Sequence, residues 1–146
     1  MRRLVPLLLA SVLACAHKSA GGPVSLFSDT VKEDKAELVI DLAYEAKGPR
    51  QVELVLKMRV VGLEESNKLV AETYIRHFNV EDGNTRWDGF VPPRTPQTVR
   101  LLLSIPEGQQ EATATVNLSR SHDSFSLLKE ELTFVVDAAG VVTLQK

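Results

Sequence analysis

An all-β fold, built as a two-sheet antiparallel sandwich, is predicted by three observations. Apolar and polar residues alternate with period two in segment after segment, turn residues separate those segments at short intervals, and no stretch carries a sustained helical stripe. The cleanest alternation puts Val52, Leu54, Leu56, Met58 and Val60 on one face, opposite Gln51, Glu53, Lys57 and Arg59, which describes a strand with one buried and one wet face. Before it, Leu38, Ile40, Leu42 and Tyr44 share a face, with Glu37, Asp41 and Glu45 opposite and Val39 as the exception. Lys68 to Val80 is rich in Val, Thr, Tyr, Ile and Phe but alternates poorly, so it reads as a bulged strand or one buried on both faces. Val99, Leu101, Leu103 and Ile105 follow, then the Pro106-Glu107-Gly108 turn, then Ala112, Ala114, Val116 and Leu118 against Thr113, Thr115, Asn117 and Ser119. Leu132, Phe134 and Val136, the Asp137-Ala138-Ala139-Gly140 turn, and Val142 with Leu144 close the chain as a hairpin.

Short strands near Val24 to Phe27 and around Arg86 to Val91 bring the total to about seven to eight, the number of an immunoglobulin-like sandwich; a small β-barrel is the alternative. Ser124 to Glu131 suits either a short helix capped by Ser124 or a loop.

The chain has 146 residues, 44% hydrophobic and 25% charged, which is the composition of an ordinary globular domain of one core. Its formal charge of −2 gives no basic footprint, so neither nucleic acid nor a polybasic membrane contact is expected. It has a single cysteine, Cys15, so no internal disulfide is available and the core must hold the fold alone.

Cys15 ends an apolar run. Arg2 and Arg3 form a positive n-region, and Leu4 to Leu13 is too short to span a bilayer, which is the build of an export signal. Val12-Leu13-Ala14-Cys15 resembles the lipobox of bacterial lipoproteins, with a small residue before the cut and an apolar residue three before the cysteine. That resemblance implies a signal peptide over 1–14, diacylation of the Cys15 sulfur, cleavage before it and acylation of the new amine. Two or three acyl chains anchor stably where one holds only marginally, at about 0.8 kcal/mol per buried methylene. Ala16, where enteric lipoproteins retained in the inner membrane carry Asp, implies transfer to the outer membrane. The same residues also fit ordinary signal peptidase, which would release a soluble protein beginning at His17. Cleavage before Cys15 leaves 132 of the 146 residues: a lipidated cysteine and flexible tether over 15–23, and one sandwich domain over 24–146. Residues 16–23 reach at most about 28 Å extended and about 16 Å as a flexible coil.

Arg86-Trp87-Asp88-Gly89-Phe90-Val91-Pro92-Pro93 is similar to the Trp-Asp-Gly turn and Val-Pro-Pro step of the immunoglobulin-like domain in flagellar hook-capping proteins and related secreted modules. Those domains place Gly after the prolines, where this chain has Arg94. The resemblance implies a sandwich. Glu81 to Pro96 reads as a hairpin followed by a proline-rich crossover, and it is also the candidate binding loop: turn residues and prolines stiffen it, and Arg86, Trp87, Phe90 and Arg94 are of the types that anchor interfaces. Trp87 also fits a core or sheet-edge position.

Catalysis lacks its parts. His17 lies in the tether, His77 in a strand-like segment, and Ser121-His122-Asp123 is a polar turn, because a triad is made by convergence in space. Glu81, Asp82, Asn84 and Asp88 do not have the spacing of a calcium loop, and no metal ligand set or cofactor motif is present. The Asn117-Leu118-Ser119 sequon lies in a strand pattern. Together these features lead to an expectation of a non-catalytic, lipid-anchored bacterial envelope protein that binds or scaffolds another envelope protein. A carbohydrate or peptidoglycan binder using exposed Trp87, Phe90 or Tyr74, and an assembly factor (pilot) for an outer-membrane machine, are the alternatives.

Overall fold

Period-two segments of this length pair with their neighbours because each has one apolar face to bury and a backbone to satisfy. The computed structural model describes residues 22–145; the expected signal peptide, Cys15 and the expected tether as far as Gly21 lie outside the described residues. The strands are β1 (Val24–Glu33), β2 (Ala36–Gly48), β3 (Gln51–Val61), β4 (Leu69–Arg76), β5 (Asn79–Gly83), β6 (Arg86–Gly89), β7 (Gln97–Ser104), β8 (Glu111–Arg120), β9 (Ser126–Val136) and β10 (Val142–Leu144). Two five-stranded sheets result, ordered β1-β2-β3-β7-β5 and β10-β9-β8-β4-β6. All pairings are antiparallel. The sheets are not closed into a barrel, and the fold is the immunoglobulin-like kind of sandwich.

The inner faces carry the core. Leu38, Ile40 and Leu42 of β2 and Val52, Leu54, Leu56 and Met58 of β3 pack with Leu69 of β4, Ala114, Val116 and Leu118 of β8, and Leu132 and Phe134 of β9, all buried. Phe134 meets Tyr44 and Phe78 edge-on, at 5.3 and 6.0 Å between ring centroids. Among the described residues the buried core comes from residues 36–142, with Leu26, Phe27, Val31 and Leu144 packed against it.

The structure differs from the sequence expectation in three places. Lys68 to Val80 is two strands in different sheets. Its alternation breaks because His77, at φ 68°, turns the chain from one sheet to the other and delivers Phe78 to the core between them. Asn84 and Thr85 then carry the chain back, so β5 and β6 are not a hairpin but the two legs of a sheet switch, held where Thr73 N donates to Thr85 O at 2.8 Å. Gly83 allows this: its φ is +90°, and a Cβ there would run into the Arg100 carbonyl of β7. Finally, Ser126–Glu131 is neither helix nor loop but the first half of β9. A bulge opposite Leu118 and Ser119 turns both Leu127 and Leu128 inward, and that adjacent pair mimics helical spacing in the sequence.

One end of the sandwich is gathered by Arg50, which occupies the β2–β3 turn at φ 61°. Its Nε donates to the Ile105 carbonyl at 2.7 Å, and its Nη2 donates to the Pro106 carbonyl at 2.7 Å and to the Gln109 carbonyl at 2.5 Å. Its own N–H donates to Gly140 O in the β9–β10 turn at 2.8 Å, so one residue ties three turns together. Val24 pairs with Tyr44 and Glu33 with Ala36, so β1 runs away from this end toward the opposite one.

Candidate binding surface at the loop end

Four connections meet at the end opposite Arg50, and buried polar groups set their positions. Glu33, fully buried, closes the β1–β2 turn by accepting from Ala36 N at 3.1 Å. The same carboxylate accepts from Asn67 N at 3.3 Å and Asn67 Nδ2 at 2.9 Å, which fastens the β3–β4 loop to that turn. Ser66, also fully buried, continues the chain of contacts. Its Oγ accepts from Val91 N at 2.9 Å and its N–H donates to Val91 O at 3.1 Å, locking the segment after β6 in place. Lys68 O in turn accepts from Ser121 N at 2.9 Å, which brings in the β8–β9 loop. A buried carboxylate and hydroxyl with all partners satisfied make a stiff platform.

Large apolar side chains stand out from this platform. Leu63 in the β3–β4 loop is 77% exposed, Phe125 in the β8–β9 loop 53%, and Phe90 after β6 46%. Gly89 and Arg120 both pair with Leu69, so the chain segments bearing Phe90 and Phe125 leave β6 and β8 two strand spacings apart, about 10 Å. The Phe125 ring lies under the Arg120 guanidinium, 4.6 Å from its centroid. Arg120 is held by Asp123 at 2.7 Å. The Phe125 N–H and the Arg120 guanidinium both favour the charged carboxylate of Asp123, whose pKa is lowered from its ordinary value of 3.8.

The residues that the sequence singles out divide among three places. Phe90 and Arg94 stand at the loop end. Arg94 takes φ 64° in a turn where Thr95 N donates to Pro92 O at 3.3 Å. With Pro93 before it, this is the type II geometry that ordinarily takes Gly. Trp87 instead faces inward and packs on the core from β6. Its ring lies over Gly89, where a Cβ would be 3.1 Å from a ring carbon, so the Trp-Asp-Gly step is a packing motif here. Arg86 points to the outer face of the second sheet, 3.1 Å from Glu72 and 3.5 Å from Asp88.

Sequence reasoning missed Leu63 and Phe125. Each is a lone apolar residue among polar neighbours in Gly62-Leu63-Glu64-Glu65 and Asp123-Ser124-Phe125-Ser126, a pattern that alternation cannot assign to any face. His122 is an exposed neighbour of Asp123 at 3.7 Å. Among the described residues no group of three or more His, Cys, Asp or Glu side chains is placed to hold a metal ion, and no helix is long and apolar enough to cross a membrane. Glu81 and Asp82 lie on β5 and Asp88 on β6, in different sheets.

No protein-family model matches the chain, and no curated protein does. Among solved structures, it is similar to the GAE domain of GGA2p from Saccharomyces cerevisiae, with 10% sequence identity and a TM-score of 0.38 over 76% of this chain and 98% of that one.

Proposed function

We propose that this protein is a non-catalytic binding module of the bacterial cell envelope, anchored to the outer membrane by acyl chains on Cys15 and contacting another envelope protein through its loop end. The observation that carries this reading is that Leu63, Phe90 and Phe125 all stand exposed on hydrogen-bonded connections at one end, opposite the end where β1 begins. Cys15 stands nine residues before Val24, so a lipid there tethers the domain on the Arg50 side and leaves the apolar tips facing outward. Exposed apolar side chains among polar neighbours are what a protein partner buries.

The β1 and β9 edges serve this role less well. Edge strand β1 carries a bulge at Leu26 and turns Asp29 toward the core side, opposite Ile40. The part of β9 that β10 leaves uncovered carries the Leu127 bulge, places Glu130 between inward Leu128 and Leu132, and presents Lys129 and Glu131. Bulges and inward charges protect edges from pairing. The inward packing of Trp87 likewise favours a protein contact over sugar stacking at that residue.

The test places a photo-crosslinking amino acid at Leu63, Phe90 or Phe125, and at Thr30 on the β1 edge, in the full-length protein expressed in its own cells. One partner captured from all three loop positions and not from Thr30 is expected. Capture from Thr30 alone overturns the loop-end reading.

A further inference from the structure

The outer face of the second sheet carries a feature that the loop end does not use. Register places Tyr74, Thr115 and Glu131 in one cross-strand row, and Glu72, Asn117 and Lys129 in the next. Small side chains on β8 thus lie between tall ones on β4 and β9. The result is an open trough of about 450 Å³, lined by Tyr74, Thr115, Asn117, Ser126 and Lys129.

Its chemistry is uneven in a useful way. Tyr74 is 58% exposed, and its hydroxyl donates to Glu72 Oε1 at 3.0 Å, which fixes the ring in place. Glu72 is itself held by Arg86 at 3.1 Å. The bond to Glu72 also raises the Tyr74 pKa above its ordinary value of 10.0, so the phenol stays neutral and its ring remains a platform. Ser126 Oγ donates to Asn117 Oδ1 at 3.1 Å, which leaves Asn117 Nδ2 as a donor without a partner among the described residues. The Thr115 hydroxyl and the Lys129 ammonium likewise have none there. A protein hot spot needs apolar neighbours, and Tyr74 has none in its row or the next. The carboxylates of Glu72 and Glu131 are offset by Lys129 and by Arg86, which is 3.1 Å from Glu72, so the local charge is close to balanced and suits an uncharged ligand. One exposed ring beside a hydroxyl, an amide and carboxylates matches a molecule with an apolar C–H face and a rim of hydroxyls.

We propose that this trough binds an uncharged pyranose oligosaccharide, with Tyr74 beneath a sugar face and Thr115, Asn117 and Lys129 bonding its hydroxyls. It lies on a different surface from the loop end, and its success or failure leaves that reading untouched. The probes are cellohexaose, maltohexaose and chitohexaose, each titrated to about 10 mM into the 15N-labelled domain beginning at Gly22. Saturable amide shifts at Tyr74, Thr115, Asn117 and Lys129 are expected with at least one of them. Tyr74→Ala should weaken that binding about tenfold or more, Tyr74→Phe should keep it within about threefold, and Asn117→Ala should weaken it with the melting temperature unchanged. The absence of shifts with all three sugars, shifts confined to the Phe90 end, or unaltered binding by Tyr74→Ala each overturns the proposal.

Discussion

Replacing Arg50 by Ala removes a guanidinium that serves three backbone carbonyls at once. A hydrogen bond to a charged group contributes about 1.5–3 kcal/mol when its partner cannot turn to water. Ile105 is buried, so its carbonyl is poorly placed to regain water, whereas the Pro106 and Gln109 carbonyls sit in a surface turn that water can reach. Full weight on the first bond and a small part on the other two give a loss of about 3 kcal/mol. Arg50→Gly removes the same bonds but relieves a residue held at φ 61°, which returns about 1 kcal/mol. Arg50→Lys keeps the charge but not the fork, and should lose about 1–2 kcal/mol. Glu107, 3.8 Å from Arg50 and 91% exposed, contributes little, so Glu107→Ala should stay within about 0.5 kcal/mol of wild type. Urea unfolding of the domain beginning at Gly22, followed by the fluorescence of its single tryptophan, Trp87, measures all four variants. For a domain of this size the Arg50→Ala loss corresponds to a fall of roughly 9–15 °C in melting temperature. An Arg50→Ala variant within 0.5 kcal/mol of wild type, or an Arg50→Gly variant less stable than Arg50→Ala, would refute the clamp.

Arg94→Gly should raise stability by about 0.5–1 kcal/mol, because the left-handed position in the Pro92–Thr95 turn suits Gly; a loss of stability would contradict the type II assignment. Glu33→Ala leaves Ala36 N and the Asn67 amides without their acceptor in a buried site, and should cost about 3 kcal/mol. Faster hydrogen exchange at Ala36 and Asn67 should accompany that loss, and unchanged exchange at both would disprove the role given to Glu33. Asp123 has a folded pKa below its ordinary 3.8, so its contribution is complete above that value and is lost as pH falls through the folded one. The stability gap between wild type and Asp123→Asn should therefore stay level from about pH 7 to 5 and close below about pH 4. A gap that widens in acid would reverse the sign of the shift.

Much of the fold was legible because half-buried strands announce themselves. Val52 to Val60 could pair in only one register without exposing its apolar side, and the inward set in β3 is the set the alternation picks out. Val39, the exception in β2, proves to be a half-buried residue on the outer face. Where legibility failed, a tertiary event intervened. His77 in a left-handed conformation switches the chain between sheets, and nothing local to Ile75-Arg76-His77-Phe78 distinguishes a switch from a bulge. Leu127 and Leu128 read as helical because a bulge turns neighbouring residues to the same side. Trp87 and Phe90 belong to the same interface-prone types and lie three residues apart, yet one packs on the core and the other faces solvent. Composition could flag the loop, but only the pairing of β6 with β4 decides which aromatic is inside. The gathering of Leu63, Phe90 and Phe125 at one end follows from topology, which three isolated residues cannot encode.

Cys15 is decisive, because an acyl anchor there would make one end of the sandwich proximal and the other free. Intact mass and membrane partition of the native protein, beside a Cys15→Ala variant, measure it directly. A wild-type mass equal to the chain from Cys15 plus two or three acyl chains, sedimenting with outer membranes while the variant does not, is the expected result. An unmodified, soluble wild-type protein beginning at His17 would contradict the anchor and with it the assignment of the loop end as the outward face.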